Sequence, residues 1–348
     1  MEYGKKVLIT GGSGFVGSHV AEHYAKGSEV LVFDNLSRAE ILGKSTGDSL
    51  FNWNYLKNNH SNIKLVKGDI RNFEEIKAAS KDVDAIVHTA AQVAVTTSLS
   101  NPRMDFEINA LGTLNVLEVA RLNDAALVFC STNKVYGGNI NTIPLKETGK
   151  RYSFAEEKYK NGIPETFAID LCGHSPYGCS KLAADLYVQD YAYTYGLKTG
   201  VFRMSCIYGA RQFGVEDQGW IAWFVIAALT NRQITIYGDG KQVRDVLYVT
   251  DLTEAFSAFI NSKIKHEVFN MGGGLENTLS LLDLIDLLKE LTGRSPQISF
   301  ADWRPADQKV YISDISKAEK LLNWKPRVRP IEGVGMLVSW VKTNIGLF

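Results

Sequence analysis

Residues 5–17 read KKVLITGGSGFVG. Gly11, Gly14 and Gly17 stand between a β-branched apolar run and a helical pattern, so the chain must turn sharply from strand to helix with no Cβ in the way. Small residues let the backbone approach a pyrophosphate and let the helix pack closely on its strand. The helix opens at Phe15 and Val16, and its start offers unpaired N–H groups and a partial positive charge to phosphate. The next apolar run, VLVFDN, ends in Asp34 followed by Asn35. A carboxylate at that place accepts hydrogen bonds from adenosine ribose hydroxyls and repels a 2′-phosphate. The context of strand, glycine turn, helix and acid therefore predicts a dinucleotide site, with NAD favoured over NADP. Arg38 lies close enough in sequence to soften that preference.

Further apolar runs at Ile63–Val66, Ala85–His88 and Ala126–Cys130 read as buried parallel strands, like Val7–Thr10 and Val30–Phe33. Helical patterns lie between them, including Ile108, Leu111, Leu114 and Leu117 at every third residue. Alternating strand and helix predicts an α/β fold, a doubly wound parallel sheet of the Rossmann type. Residues 137–174 lack periodicity and read as a long excursion over the surface. A helix is expected over Ser175–Tyr195 and a strand over Thr199–Met204. Beyond them come strands at Gln233–Tyr237 and Val246–Val249, and helices at Leu252–Asn261, Leu279–Leu291 and Glu332–Thr343. The expected division is a dinucleotide domain over 1–175, whose sheet and helices continue through about 176–205 and 240–260. A smaller C-terminal α+β substrate lobe takes about 206–240 and 261–348.

Lys and Arg number 38, as do Asp and Glu, so net charge is zero. That balance argues against a nucleic-acid or membrane-surface partner. Cys130, Cys172, Cys179 and Cys206 show no metal-ligand spacing, which predicts reduced thiols in a cytoplasmic protein and no metal. The N-terminus enters a strand pattern without a signal-peptide architecture. The most apolar stretch, Trp220–Leu229, is shorter than the roughly 18 residues of a membrane span and reads as a buried helix.

Residues 175–185 read SPYGCSKLAAD. Tyr177 and Lys181 share a helix face at i, i+4. A phenol of pKa about 10 is a poor base at neutral pH, and a nearby ammonium favours its phenolate. Asp69 and Ile70 follow the third strand, where an adenine ring would lie across the sheet edge. The competing reading of Asp69 is a helix cap for Asn72 onward.

GGSGFVG and YGCSK, with HTAAQ (88–92), CSTNKVYG (130–137), CIYGARQ (206–212), KQVRDVLYVTD (241–251) and RPADQ (304–308), run over nearly the whole chain. Together they resemble the extended short-chain dehydrogenase/reductases that act as nucleotide-sugar epimerases and dehydratases. The resemblance implies Ala90, Ala91, Gln92 and Asn109 at the cofactor. It implies Thr132 as the hydroxyl that orients the sugar, with Tyr177 and Lys181 as its catalytic partners. Dehydratases of this family carry Asp-Glu after that threonine, to protonate the leaving hydroxyl and remove the neighbouring proton. Here Asn133 and Lys134 stand in their place, which speaks against dehydration. The stretch ARQFGVEDQGW (210–220) is similar to the CDP-paratose 2-epimerase subgroup, also called CDP-tyvelose epimerases.

That resemblance implies inversion at carbon 2 of a CDP-linked deoxyhexose through a transient 2-keto sugar. NAD stays tightly bound and is regenerated each turnover. Arg244 and Arg304 match the arginines that anchor the diphosphate, since a planar guanidinium pairs bidentately with phosphate oxygens. Gln92, Asn133, Arg211, Gln212, Gln218, Trp220 and His174 are further candidates for facing the ligand, and Cys206 stands where relatives carry Asn. Helices 103–122 and 178–196 correspond to the pair that joins subunits in relatives, which implies a homodimer or a larger assembly such as a tetramer. Alternatives are another nucleotide-sugar epimerase, acting at carbon 4 or at carbon 2 of a UDP or GDP sugar, and a non-catalytic dinucleotide-binding protein.

Overall fold

The computed structural model describes residues 4–41, 47–304 and 307–348. In chain order the first strands are β1 (Lys6–Thr10), β2 (Glu29–Asp34), β3 (Ile63–Lys67), β4 (Ala85–His88) and β5 (Ala126–Thr132). A hairpin of β6 (Leu145–Thr148) and β7 (Arg151–Phe154) follows, then β8 (Thr199–Met204) and β9 (Cys206–Tyr208). The later strands are β10 (Ile234–Tyr237), β11 (Val243–Tyr248), β12 (His266–Met271), β13 (Thr278–Ser280), β14 (Ile298–Ala301) and β15 (Val310–Tyr311). Seven of them form one sheet in the order β12-β8-β5-β4-β1-β2-β3. Every neighbouring pair in it is parallel, with Leu8 opposite both Leu31 and Ile86.

The helices are α1 (Phe15–Tyr24), α2 (Arg38–Ile41), α3 (Gly47–Asn59), α4 (Phe73–Ala79), α5 (Val95–Ser100), α6 (Pro102–Phe106) and α7 (Gly112–Asn123). After the excursion come α8 (Pro176–Tyr195), α9 (Trp220–Leu229), α10 (Val249–Ile260), α11 (Leu281–Thr292), α12 (Ser316–Leu322) and α13 (Pro330–Thr343). A parallel sheet needs cover on both faces, which is why its strands read as unbroken apolar runs. Successive side chains go to opposite faces. Val7, Ile9, Val30 and Val32 pack with α1, α10 and α12. Leu8, Leu31 and Phe33 pack with α4, α7 and α8. No described helix is long and apolar enough to cross a membrane.

A buried ion pair locks α8 to the sheet. Arg203 of β8 donates to both oxygens of Asp185 at 3.0 and 3.1 Å, and Ser131 of β5 adds a hydrogen bond at 2.6 Å. Such a pair is tolerable in the interior because the carboxylate is fully hydrogen-bonded. The second lobe has its own core, in which α9, α11 and α13 close over β10 and β11. β11 pairs there with β9, β13 and β15, while β10 pairs with β14.

The structure departs from the sequence reading in three places. The large sheet takes back a strand from the segment assigned to the lobe: β12 pairs with β8, and α12 covers it. Conversely β11, expected within the dinucleotide domain, belongs to the small sheet. Crossover connections, which leave no local mark in sequence, decide both cases. Second, residues 137–174 are not merely a surface path. They hold the β6–β7 hairpin and bury Ile140, Ile143, Phe154 and Ile163 against Val243, Val310 and Tyr311. Their apolar residues are irregularly spaced, so no period announces them. Third, a π turn at Glu107–Leu111 joins α6 to α7. The wider turn rotates the apolar stripe, leaving Ile108 and Leu117 buried but Leu111 exposed.

Candidate active site

The glycine turn at the end of β1 builds the first part of the site. Gly11 has φ +70°, and a Cβ there would stand 2.5 Å from the Ala90 nitrogen. Gly14 donates to the Gly11 carbonyl at 3.0 Å. Gly17 lies under the turn, where a Cβ would meet the Gly11 oxygen at 2.3 Å. Gly14 caps α1, and no side chain bonds to the first-turn N–H groups. An uncapped helix start beside a glycine-lined cradle fits the pyrophosphate of a dinucleotide. The cleft above it has a volume of about 140 Å³, and Phe15, Asp34, Asn35, Asp69, Ile70 and Ala91 are on its wall. Ala90 and Gln92 line it as well, whereas Val16 packs against the core.

Asp34 ends β2 and accepts from the Ser13 N–H at 2.9 Å and the Leu36 N–H at 2.8 Å. Asn35 donates to Asp69 at 3.0 Å. Burial pushes the Asp69 carboxyl up, but hydrogen bonds from the Arg71 side chain and backbone outweigh it and hold the group at about 2. The cap of α4 is Asn72, which accepts from the Glu75 N–H. The capping alternative for Asp69 is therefore corrected: its carboxylate orders the cleft edge, because Asn72 already serves the helix.

A second cavity, of about 540 Å³, opens between the large sheet and the second lobe. Gln218 lines both cavities. Arg244 and Arg304 are on the wall of the second. Arg244 pairs with Asp307 at 2.8 Å; Arg304 pairs with Asp217 at 2.9 Å and lies 3.9 Å over the Tyr237 ring. Trp220 lines it and donates its indole N–H to Cys206 Sγ at 3.3 Å. His174 also lines it, though its ring is tied to the Ile169 carbonyl at 2.9 Å. Pro305 and Ala306 of the RPADQ stretch lie outside the described residues.

Thr132, Tyr177 and Lys181 meet at the carboxyl edge of the sheet. The chain leaving β4 lines the first cavity and the chain leaving β5 lines the second, so the three lie between the cavities rather than on the wall of either. Each is less than a tenth exposed. Thr132 ends β5, and its hydroxyl stands near enough to the Tyr177 phenol to favour the phenolate. Tyr177 is in the first turn of α8 because Ser175 caps that helix, accepting from the Gly178 N–H at 3.1 Å. Lys181 follows one turn on, its Nζ 4.1 Å from the centre of the Phe129 ring. Burial pushes the Tyr177 phenol up to about 12 and brings the Lys181 ammonium down to about 8. The expected lowering of the phenol by Lys181 is not found in the protein alone: desolvation dominates, and the group that opposes it is the Thr132 hydroxyl.

Three expected ligand contacts are placed differently. Arg211, in a left-handed turn at φ +61°, sends its guanidinium back to Glu22 at 2.8 Å and over the Tyr55 ring at 4.3 Å. It lines the dinucleotide cleft and not the second cavity, because that turn reverses its direction. Gln212 lines neither. Gln92 reaches the cleft, but its amide is committed: Nε2 donates to Asp105 at 2.7 Å and Oε1 accepts from the Ala94 N–H at 2.5 Å. Asn109 is buried beside it and donates to the Gln92 carbonyl at 3.0 Å.

Sequence reasoning missed Asp105. This buried carboxylate bonds to Gln92, Asn109 and Ser180, the last at 2.5 Å, behind α8. Burial raises its pKa, against those hydrogen bonds and the charge of Lys181. An acid on an otherwise helical apolar face was the available signal. Lys134 and Gln308, which line the second cavity, were also missed as site residues. Among the described residues no group of three or more His, Cys, Asp or Glu is arranged to hold a metal ion.

Residues 7–272 match the NAD dependent epimerase/dehydratase family. The chain is 42% identical to the CDP-paratose 2-epimerase of Salmonella typhi, across 97% of this chain and 99% of that one. Among solved structures it is similar to the UDP-glucose 4-epimerase of Thermotoga maritima with UDP-glucose (TM-score 0.81, 29% identity, covering 98% and 99% of the two chains). It is also similar to the UDP-glucuronic acid 4-epimerase of Bacillus cereus in complex with UDP-glucuronic acid and NAD (TM-score 0.82, 26% identity, covering 97% and 99%).

Proposed function

The chain belongs to the NAD dependent epimerase/dehydratase family, and on that premise we propose that it inverts carbon 2 of CDP-paratose to give CDP-tyvelose. The observation that carries the reading is the Thr132–Tyr177 pair, with Lys181 one turn along, set between a dinucleotide cradle and a cavity bearing Arg244 and Arg304. Identity over almost the full length of the Salmonella typhi enzyme supports the choice of carbon and nucleotide. Asn133 and Lys134 support epimerisation over dehydration, since an amide and an ammonium replace the acid and base that elimination needs.

NAD bound in the cleft supplies reversible hydride acceptance and, while oxidised, a positive charge. Gly11, Gly14 and the first turn of α1 would hold its pyrophosphate, and Asp34 and Asn35 would stand at its adenosine ribose. Because burial keeps the Tyr177 phenol protonated in the protein alone, its ionisation depends on charge brought in with the ligands. Thr132 holds the sugar 2-hydroxyl in line, and Tyr177 Oη takes its proton. The sugar, a 2-ketone once hydride has also left carbon 2, turns while Arg244 and Arg304 keep the diphosphate in place, and Tyr177 returns the proton to the sugar oxygen as carbon 2 takes hydride back on its opposite face. Remote anchoring with a loose reacting end is how binding energy is directed to the chemical step.

Tyr177→Phe keeps bound NAD and loses roughly 10²–10⁴-fold in turnover. A variant that converts CDP-paratose at the wild-type rate overturns the assignment. NMR of products from CDP-, UDP- and GDP-sugars reads which carbon inverts. Preferred inversion at carbon 4 of a UDP sugar makes the protein a 4-epimerase instead. We further propose a homodimer built on α7 and α8, where Leu122 of the first helix and Leu186 and Tyr187 of the second are exposed apolar side chains. Sedimentation velocity checks it, and a monomer at micromolar concentration refutes it.

A further inference from the structure

Lys134 has no part in the dinucleotide cleft, in the Thr132–Tyr177 pair or in the diphosphate anchor. It follows β5 by two residues, and its side chain lines the second cavity. Its backbone is held on two sides. The N–H donates to Thr132 Oγ1 at 3.3 Å, and the carbonyl is bonded to His174 Nδ1 at 3.4 Å. The same carbonyl would stand 3.0 Å from a Cβ on Gly178, so Lys134 closely abuts the first turn of α8. The side chain therefore springs from a rigid point at the reacting end of the cavity.

An ammonium carries three donors. Among the described residues the acceptor that Lys134 Nζ meets is Gln308 Oε1 at 3.3 Å, and Asn133 Nδ2 draws on that same oxygen at 3.4 Å. Asp307, whose charge favours the ammonium, is already paired with Arg244 at 2.8 Å. Burial, then the like charge of Arg244, lowers the Lys134 pKa. A desolvated ammonium with donors unspent on protein is stabilised by an acceptor oxygen on a ligand. The Thr132 contact says which part of the ligand that is. The reacting hydroxyl of the sugar is the group Thr132 holds, whereas the diphosphate arginines enter from β11 and from residue 304.

We propose that Lys134 is a specificity-determining binding residue for the hexose, donating to a sugar oxygen next to the reacting carbinol. With Asn133 and Gln308 it sets which carbon of the ring stands against Tyr177. This rests on the reading of the site as a nucleotide-sugar epimerase.

The test compares CDP with CDP-paratose by titration calorimetry on wild-type and Lys134→Met protein, with bound NAD and thermal unfolding followed alongside. A lost hydrogen bond to a charged group predicts roughly 10- to 100-fold weaker binding of CDP-paratose, with CDP binding unchanged. Equal losses for both ligands would make Lys134 a phosphate ligand, and no loss for either would make it a bystander; both results overturn the proposal. Should Lys134→Met not fold, Gln308→Leu carries the same comparison: it must alter affinity for CDP-paratose and leave CDP untouched, and any other pattern overturns the idea. A wild type that binds CDP-paratose more tightly than CDP yet does not epimerise it defeats the functional reading while leaving the Lys134 comparison intact. A wild type that binds the two alike defeats Lys134's role.

Discussion

Gly17 shows how little room the site allows at single residues. Its missing Cβ is what lets the Gly11 oxygen and the Gly12 Cα sit where they do, at 2.3 and 2.7 Å from the place a methyl would take. Both obstacles are backbone, so they cannot rotate away. Gly17→Ala is expected to cost about 1–3 kcal/mol of overpacking in the phosphate turn. Its measure is the NAD released on denaturing purified protein, which should fall well below one per chain. Retention of full NAD would show that the turn relaxes freely. At this scale sequence showed which residue types the chemistry needs, because Gly, Asp, Thr, Tyr and Lys each carry a distinctive capability. It did not show their charge states. The Lys181 ammonium and Tyr177 phenol are displaced in opposite directions by burial, and burial is a property of the folded surroundings.

Among the elements, α8 was the most legible. Ser175 and Pro176 mark its start and Gly196, at φ +69°, its end, in keeping with the preference for a hydroxyl cap, an N1 proline and a C-terminal glycine. Ser175→Ala should destabilise the protein by about 0.5–2 kcal/mol in urea unfolding. It should also lower turnover, because Tyr177 rides in the turn that the cap orders. An unchanged urea midpoint would mean that packing alone holds this end. The α6–α7 segment was the least legible. MDFEINALGT has the apolar spacing of a regular helix, yet the chain inserts a π turn over Glu107–Leu111. The turn lets Asn109 reach Gln92, Asp105 and Ser180 together. Those partners come from a loop, from α6 and from α8, so no local pattern encodes the gain that offsets the irregular turn.

For the whole molecule the buried histidines predict an acid limit. His88 in β4 bridges Thr10 at 2.7 Å and Thr113 at 2.9 Å in the sheet interior. Burial, and then the charge of Lys181, brings it down to about 3 from 6.5. His19, buried and near Arg211, falls to about 4. Because the unfolded chain binds these protons more readily, the stability from neutral histidine is complete above about 6.5 and declines as pH falls toward 3 to 4. Urea midpoints are expected to drop steadily from pH 7 to pH 5, and His88→Asn should flatten that slope. A midpoint constant across the interval would refute the assignment.

The amino-acid order by itself determined the parallel sheet, the glycine turn with its acid, and the placing of Tyr177 and Lys181 on one helix face. Each is a matter of side-chain period or of chemistry carried within a few residues. Tertiary structure alone decided that β12 returns to the large sheet, that Arg211 turns to Glu22, and that Lys134 faces the second cavity. These depend on groups brought together from distant parts of the chain. Burial and pairing among such groups are set by the energy of the assembled core, which no short stretch of sequence contains.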